Sequence, residues 1–141
     1  MCSWDSYITT LMDGNAQDAA IVGYESGKES VWAAHKGGGL AKITPEEIRK
    51  LVTSDRSSFY GGGVSVAGTM CTVLRDGMFQ EGQYTLDLRT KVSEQESVSV
   101  SMSVGKAQTC LVIVKGKEGV TGGTLNAVVY KTVEYLRTNG I

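Results

Sequence analysis

The chain has a single histidine, only three cysteines, and no apolar run close to the roughly 20 residues that cross a bilayer. Each scarcity removes a class of function. His35 is the sole imidazole, so a Ser-His-Asp or Cys-His device would have one base and no nucleophile motif around it. Cys2, Cys71 and Cys110 are odd in number and widely spaced, which argues against a disulfide framework and for a reducing, cytosolic setting. With one histidine they give no metal-ligand spacing either. Charge of one sign is lacking too: 14 basic residues face 15 acidic ones, so no net field draws nucleic acid. The opening Met-Cys-Ser-Trp-Asp has neither the basic nor the long apolar region of a secretory signal. Phosphate cradles are missing as well. Gly116-Lys117-Glu118 carries Glu where a P-loop needs Ser or Thr, and Gly37–Gly39 and Gly61–Gly63 match no dinucleotide fingerprint.

What is present describes a globular chain of 141 residues, 41% hydrophobic and 21% charged, with one domain over 1–141 expected. A first helix is expected from the stripe Trp4, Tyr7, Ile8, Leu11 and Met12, with Gly14 as its stop. Residues 18–25 and 30–35 read as strands joined by Ser26-Gly27-Lys28. Thr44-Pro45-x-Glu47 is a capping box with Pro at the first helical position, predicting a helix to about Val52 with Ile48, Leu51 and Val52 inward. Residues 55–60 read as a helical turn. Residues 64–66, 70–75, 83–89, 97–104 and 108–115 follow as strands at hairpin spacing.

The stretch 97–104 (SVSVSMSV) alternates throughout, predicting one buried face and one wet or lightly covered face. The same alternation puts Arg75 out of phase with Met70, Thr72 and Leu74, and sets Arg89 beside Asp87 and Thr85. A last helix should run from Gly122 to Gly140 with Leu125, Val128, Val129, Thr132 and Leu136 along one face. The order implies an α+β fold: a central antiparallel sheet with the terminal helices packed on it.

Two features invite a binding role. Trp4 and Tyr7 place two flat rings with polar tips on the leading turn of the first helix, where they serve either as core aromatics or as a groove for an extended apolar peptide. The sheet face carrying Arg75, Arg89 and Lys91 is either a solvated face or a partner surface. Gly122-Gly123 reads as a tight strand-to-helix turn. The residues by themselves describe a small binding module with an aromatic patch.

Several blocks in one order resemble the profilins, in particular those of animals: Trp4 and Tyr7, QDAAIVGY (17–24), SVWAA (30–34), ITPEEI (43–48), DRSSFY (55–60), VLRD (73–76), LDLRTK (86–91) and GKEGV-x-GG-x-LN (116–126). The resemblance implies the terminal helices together on one face of the sheet and short helices on the other. It implies a non-enzymatic protein, without cofactor or metal, that binds monomeric actin, regulates its polymerisation and binds proline-rich proteins and phosphoinositides. A cytoplasmic, cytoskeleton-associated monomer is expected. An adaptor that keeps the proline-rich ligands but binds actin weakly or not at all is the alternative. A small-ligand sensor is a third reading, and it requires a deep internal pocket.

The family's proline-rich groove maps onto Trp4, Tyr7, Trp32, Tyr135 and Ile141, with Tyr135 where mammalian relatives often have histidine and Ile141 in place of a terminal tyrosine. Its actin surface maps onto Tyr60, Val73, Arg75, Arg89, Lys91, Val120, Gly123 and Asn126. Basic residues for phosphoinositides remain at Arg89 and Arg137. The chain departs from the pattern at Met70, where lysine is common, at Thr121, where histidine is typical, and at Ala127 and Val128, which replace a pair of lysines.

Overall fold

The computed structural model describes residues 4–12, 14–53, 56–94 and 97–141. In chain order it contains α1 (Trp4–Leu11), β1 (Ala16–Gly23), β2 (Ser30–Ala34), a 3-10 turn (Gly39–Lys42), α2 (Pro45–Leu51), α3 (Ser57–Gly62), β3 (Val64–Val66), β4 (Thr69–Gly77), β5 (Thr85–Thr90), β6 (Ser101–Lys106), β7 (Cys110–Gly116) and α4 (Gly122–Thr138). The strands make one antiparallel sheet in the order β2-β1-β7-β6-β5-β4-β3.

The alternation of strand side chains assigns each face its core. Ala19 and Ile21 of β1 and Val112 and Val114 of β7 meet Ile8 and Leu11 of α1 and Leu125, Val129, Val133 and Leu136 of α4. The residues between them, Ala20, Val22, Leu111 and Ile113, face Leu40, Ile48 and Leu51 and Phe59 of α3 on the other side. The fold is α+β, with terminal helices on one face and short helices on the other. Coverage of both faces explains why β1 and β7 read as nearly unbroken apolar runs.

The helix starts follow the sequence closely. Thr44 Oγ1 accepts from the Glu47 amide at 3.2 Å, and Glu47 Oε1 accepts from the Thr44 amide at 2.9 Å, which completes the capping box. Glu47 does more. Its carboxylate also accepts from Ser65 Oγ (2.6 Å), Ala67 N (3.0 Å) and Gly68 N (2.9 Å), tying α2 to the β3–β4 hairpin, where Ala67 has φ of 51°. Burial pushes the Glu47 pKa up, but the hydrogen bonds from Ser65, Gly68, Thr44 and Ala67 outweigh it and leave the group below its ordinary value.

On α4, Leu125, Val129 and Leu136 are buried as the periodicity predicts. Val133 takes the remaining core position, while Val128 and Thr132 are half-buried. The helix can lie this close because β6 has Gly105 beneath it. A Cβ there would stand 2.4 Å from Val133 Cγ2 and 2.5 Å from Val129 Cγ1.

Three expectations are corrected. The alternating stretch 97–104 contributes strand only from Ser101, and its serine face is not wet: Ser101 is 3% and Ser103 0% exposed. The start of α4 covers this face, and Ser101 and Ser103 hydrogen-bond Arg89 and Asp87 of β5. Second, β4 does not alternate throughout. Its register against β5 shifts between Val73 and Arg75, so Leu74 is an extra residue and Arg75 joins the face of Thr72 and Arg89. Third, β4 continues through Asp76-Gly77, and β5 begins at Thr85, because Tyr84 adopts φ of 53° in the connecting turn.

A half-buried ion pair closes this end of the sheet. Arg56 Nε and Nη2 donate to the two Asp76 carboxylate oxygens at 2.7 and 2.9 Å, and Nη1 donates to the carbonyls of Leu51 (2.6 Å) and Thr53 (3.0 Å). The guanidinium lies 4.3 Å from the Phe59 ring centre and 4.9 Å from that of Phe79. The short helix predicted over 55–60 appears as α3; Asp55 lies outside the described residues.

Candidate functional site

Helix α1 divides its eight residues between two tasks. Ile8 and Leu11 are buried in the core, whereas Trp4 and Tyr7 in the first turns are half-buried and lie along its open side. Trp32 comes to meet them from the sheet edge. Ile21 pairs with Ala33 and Val22 with Val31, which makes Trp32 the extra residue of a bulge. Its indole lies over Gly23, where a Cβ would approach Trp32 Nε1 to 2.5 Å. The indole can occupy this place only because position 23 has no side chain.

Four rings follow one another: Trp32 and Trp4 with centres 5.1 Å apart, Trp4 and Tyr7 at 5.2 Å, and Tyr7 and Tyr135 of α4 at 6.3 Å. Successive planes tilt by 36° to 48°, within the range of favourable aromatic contacts. Trp32 is 38% and Tyr135 58% exposed, so both ends of the strip are open. Ile141 packs against the same core; its amide donates to Leu136 O at 2.9 Å and its carbonyl accepts from Gln108 N at 2.6 Å. The structure thus brings Trp4, Tyr7, Trp32 and Tyr135 into one strip, with Ile141 anchored at the end of α4.

The titratable groups nearby are shaped by burial. Tyr24 donates to the carbonyls of Ala107 and Gln108, and burial raises its phenol pKa. Burial pushes the Cys110 thiol up to about 12, which keeps it protonated and unreactive. Lys106, with its ammonium 5.2 Å from the Tyr24 ring centre, has its pKa lowered by burial and by the neighbouring Arg137. Among the described residues, no group of three or more His, Cys, Asp or Glu side chains could hold a metal ion. No described helix is long and apolar enough to cross a membrane.

The second set of residues lies where α4 leaves the sheet uncovered. That helix packs on β5, β6 and β7, and the face of β4 beside it stays open. Thr72, Arg75 and Arg89 are exposed there, and Thr72 pairs with Arg89 while Arg75 pairs with Asp87. Arg75 Nη2 donates to Gln83 Oε1 at 3.2 Å; Arg89 donates to Ser99 O (3.2 Å) and Ser101 Oγ (3.4 Å). Asn126 donates to Thr85 Oγ1 and Asp87 Oδ1, both at 3.0 Å, fastening the first turns of α4 to this face.

Gly123 is exposed in the first turn of α4, Val120 is half-buried just before it, and Lys91 is exposed after β5 with its amide bonded to Met70 O. Val73 stands apart from this group. It is 6% exposed and points into the core beneath α2 and α3. Tyr60 lies in α3, and its side chain is outside what is described. Arg137 is far along α4, its guanidinium 3.5 Å from the Tyr84 ring centre and its Nε bonded to Lys106 O.

A family model described as Profilin matches residues 2–141. The chain belongs to the profilin family. It is 46% identical to human Profilin-1 over 97% of both chains, and 45% identical to bovine Profilin-2 over 99% of both. Among solved structures it is similar to mouse Profilin IIa in complex with a double repeat from the FH1 domain of mDia1, with a TM-score of 0.93 and 43% identity over 99% of this chain and 100% of that one. In this profilin, Gly23 joins the aromatic surface without any side chain of its own to mark it. A glycine inside a strand, across a hairpin from a tryptophan, was the available signal.

Proposed function

We propose that this profilin binds proline-rich segments on the strip Trp32, Trp4, Tyr7 and Tyr135, with Ile141 beside it. The observation that carries the reading is the unbroken series of four rings from an edge strand across two helices, open at both ends. A polyproline II ligand has its backbone set before binding and loses little entropy on docking. Its pyrrolidine rings stack on the indole and phenol faces, and its carbonyls accept from indole N–H and phenol O–H groups. The relative of known structure was solved with an FH1 repeat, in keeping with this reading. Titration with a polyproline peptide tests it: Trp4 and Trp32 fluorescence should change, and no change at millimolar proline removes the assignment.

The face of Arg75, Arg89 and Lys91 with the first turns of α4 (Val120, Gly123 and Asn126) is the proposed surface for monomeric actin. Tyr60 and Val73 are assigned to it by family resemblance, Val73 from the core side. Delivery of actin monomers to proline-rich assembly factors in the cytoplasm, by a monomeric, non-enzymatic protein, is the function this pair of surfaces supports. Slowed spontaneous actin polymerisation is the readout. Exposed Met70, Thr121 and Ala127 at this face favour a second reading, an adaptor with weak actin binding, and the same titration separates the two. Arg89 and Arg137 are the remaining candidates for phosphoinositide contact. They lie on different elements, so vesicles bearing phosphatidylinositol 4,5-bisphosphate should engage them separately. The sensor reading has no support in the core, where Met102 and Val104 of β6 are packed among buried side chains.

A further inference from the structure

At its Trp32 end the aromatic strip opens into a cleft. This cleft, of about 450 Å³, begins on the same indole and runs over the β1–β2 hairpin toward the β6–β7 turn. Gly23 and Tyr24, Ser30 of the edge strand, and Gln108 and Thr109 of the β6–β7 turn line it. The Ser30 hydroxyl, the Thr109 hydroxyl and the Gln108 side-chain amide make no hydrogen bond to any described residue, whereas the backbone of Gln108 is held by Ile141. Tyr24 is fixed from behind by its bonds to Ala107 and Gln108. The rim carries Glu25 and Lys28, which pair with each other at 3.8 Å and leave no net charge. An apolar floor with a few converging, unpartnered polar groups is the composition of a ligand pocket.

The ring spacings of 5.1, 5.2 and 6.3 Å allow about five residues of polyproline II at ~3.1 Å per residue. A longer ligand leaving the strip at Trp32 enters this cleft. Proline has no backbone N–H and no hydrogen-bonding side chain, so it offers the three polar groups found there only a carbonyl acceptor and can donate to none of them. We propose that the cleft reads the residue that ends the proline run, selecting a non-proline residue with a free backbone N–H and a neutral polar side chain such as glutamine. The inference rests on the strip being the proline-rich site. It adds a subsite that fixes the register of the run and one of its flanks. The self-paired rim gives no advantage to an acidic or a basic flank.

The test compares an all-proline decamer with two decamers that carry glutamine in place of the first or the last proline, because the strip alone does not set chain direction. Affinities come from tryptophan fluorescence on the intact protein and on the double variant Q108A/T109V, which removes the unpartnered polar groups from an exposed turn. One glutamine peptide is expected to bind about three- to tenfold more tightly than the all-proline peptide, the gain of one or two hydrogen bonds. That advantage should vanish in Q108A/T109V while the all-proline affinity stays the same. Equal affinity of all three peptides for the intact protein, or an advantage that survives in the variant, overturns the inference and leaves the strip assignment standing. Failure of every peptide to bind removes both.

Discussion

The indole of Trp4 stands 5.1 Å from that of Trp32, so the first helix and the edge strand share a single aromatic surface. Neither ring is buried: one lies in the opening turn of α1, the other on a bulge. Their contact holds the strip together, since Trp4 also touches Tyr7 and through it reaches Tyr135.

Trp4→Ala therefore interrupts the strip at its middle. Because the ring is only half-buried, the fold should lose about 1–2 kcal/mol, within the ordinary range for a partly exposed aromatic. Polyproline binding should be lost, and the surface proposed for actin on β4, β5 and α4 should be unaffected. Joint loss of both activities, with a native circular dichroism spectrum, would show that the two surfaces are not separate.

Gly105→Ala tests how α4 seats on the sheet. The added methyl would stand 2.4–2.5 Å from Val133 and Val129 and force the helix outward, at a cost of about 1–3 kcal/mol. Thermal melts should show a lower midpoint. Adding Val133→Ala should recover part of it, because the new methyl then has room. If G105A/V133A proves less stable than the two single losses combined, the contact is not the cause.

Most of the fold was legible in the sequence because it rests on local signals. The Thr44–Glu47 box, the Trp4-to-Leu11 stripe and the apolar runs of β1 and β7 all declare themselves within a few residues. What was not legible depends on distant partners. The serines of β6 look solvent-facing until α4, twenty residues further on, lies across them. Arg75 appears out of phase because nothing in VLRD announces the extra residue at Leu74; the bulge is visible only against β5. The 3-10 turn at Gly39–Lys42 is anchored by Asp18, whose carboxylate accepts from the Leu40 amide, a bond between segments with no shared pattern. At the candidate site, each ring was nameable, but Gly23 beneath Trp32 and Asp87 beneath Asn126 emerge only from the register.

Stability in acid should depend on Glu47. Its folded-state pKa is held below the ordinary 4.5, so its contribution is fully present above that value and is lost as pH falls through the lower, folded-state value. Urea denaturation from pH 7 downward should show a loss of stability beginning near ~4.5 and continuing below it. Glu47→Gln should flatten that acid limb. It should also lower stability at pH 7 by about 1–3 kcal/mol, since a side-chain NH₂ would then face the donors Ser65 and Gly68. An unchanged acid limb in the variant would assign the effect to other carboxylates.

Removing one partner of the Arg56–Asp76 pair should be costly. Arg56 is 17% and Asp76 8% exposed, and the guanidinium also holds the carbonyls of Leu51 and Thr53. Asp76→Ala leaves a half-buried cation unmatched and should cost about 1–3 kcal/mol, less than breaking a fully buried pair. Arg56→Met with Asp76→Leu should cost less than D76A alone, because neither charge remains to be desolvated. Chemical denaturation of the three variants decides it, and a double variant as unstable as D76A would mean that the carbonyl bonds of Arg56 dominate.

The face proposed for actin presents Arg75 and Arg89 beside an α4 whose first turns are uncharged: Thr121, Gly123 and Thr124 are exposed, Ala127 is exposed and Val128 half-buried. An acidic partner would meet two guanidiniums on the sheet and no cation on the first turns of the helix. Charges at a rim act mainly on association rate and its salt dependence. Ala127→Lys with Val128→Lys should therefore accelerate association with actin monomers several-fold at low salt, and leave dissociation nearly unchanged. The gain should shrink as ionic strength rises, because the Debye length falls to about 8 Å near 0.15 M. Arg89→Ala should act in the opposite sense, slowing association and flattening the salt dependence. Stopped-flow measurement at two salt concentrations gives both quantities. Rates that ignore all three substitutions would place the actin contact, if one is measured, away from this face.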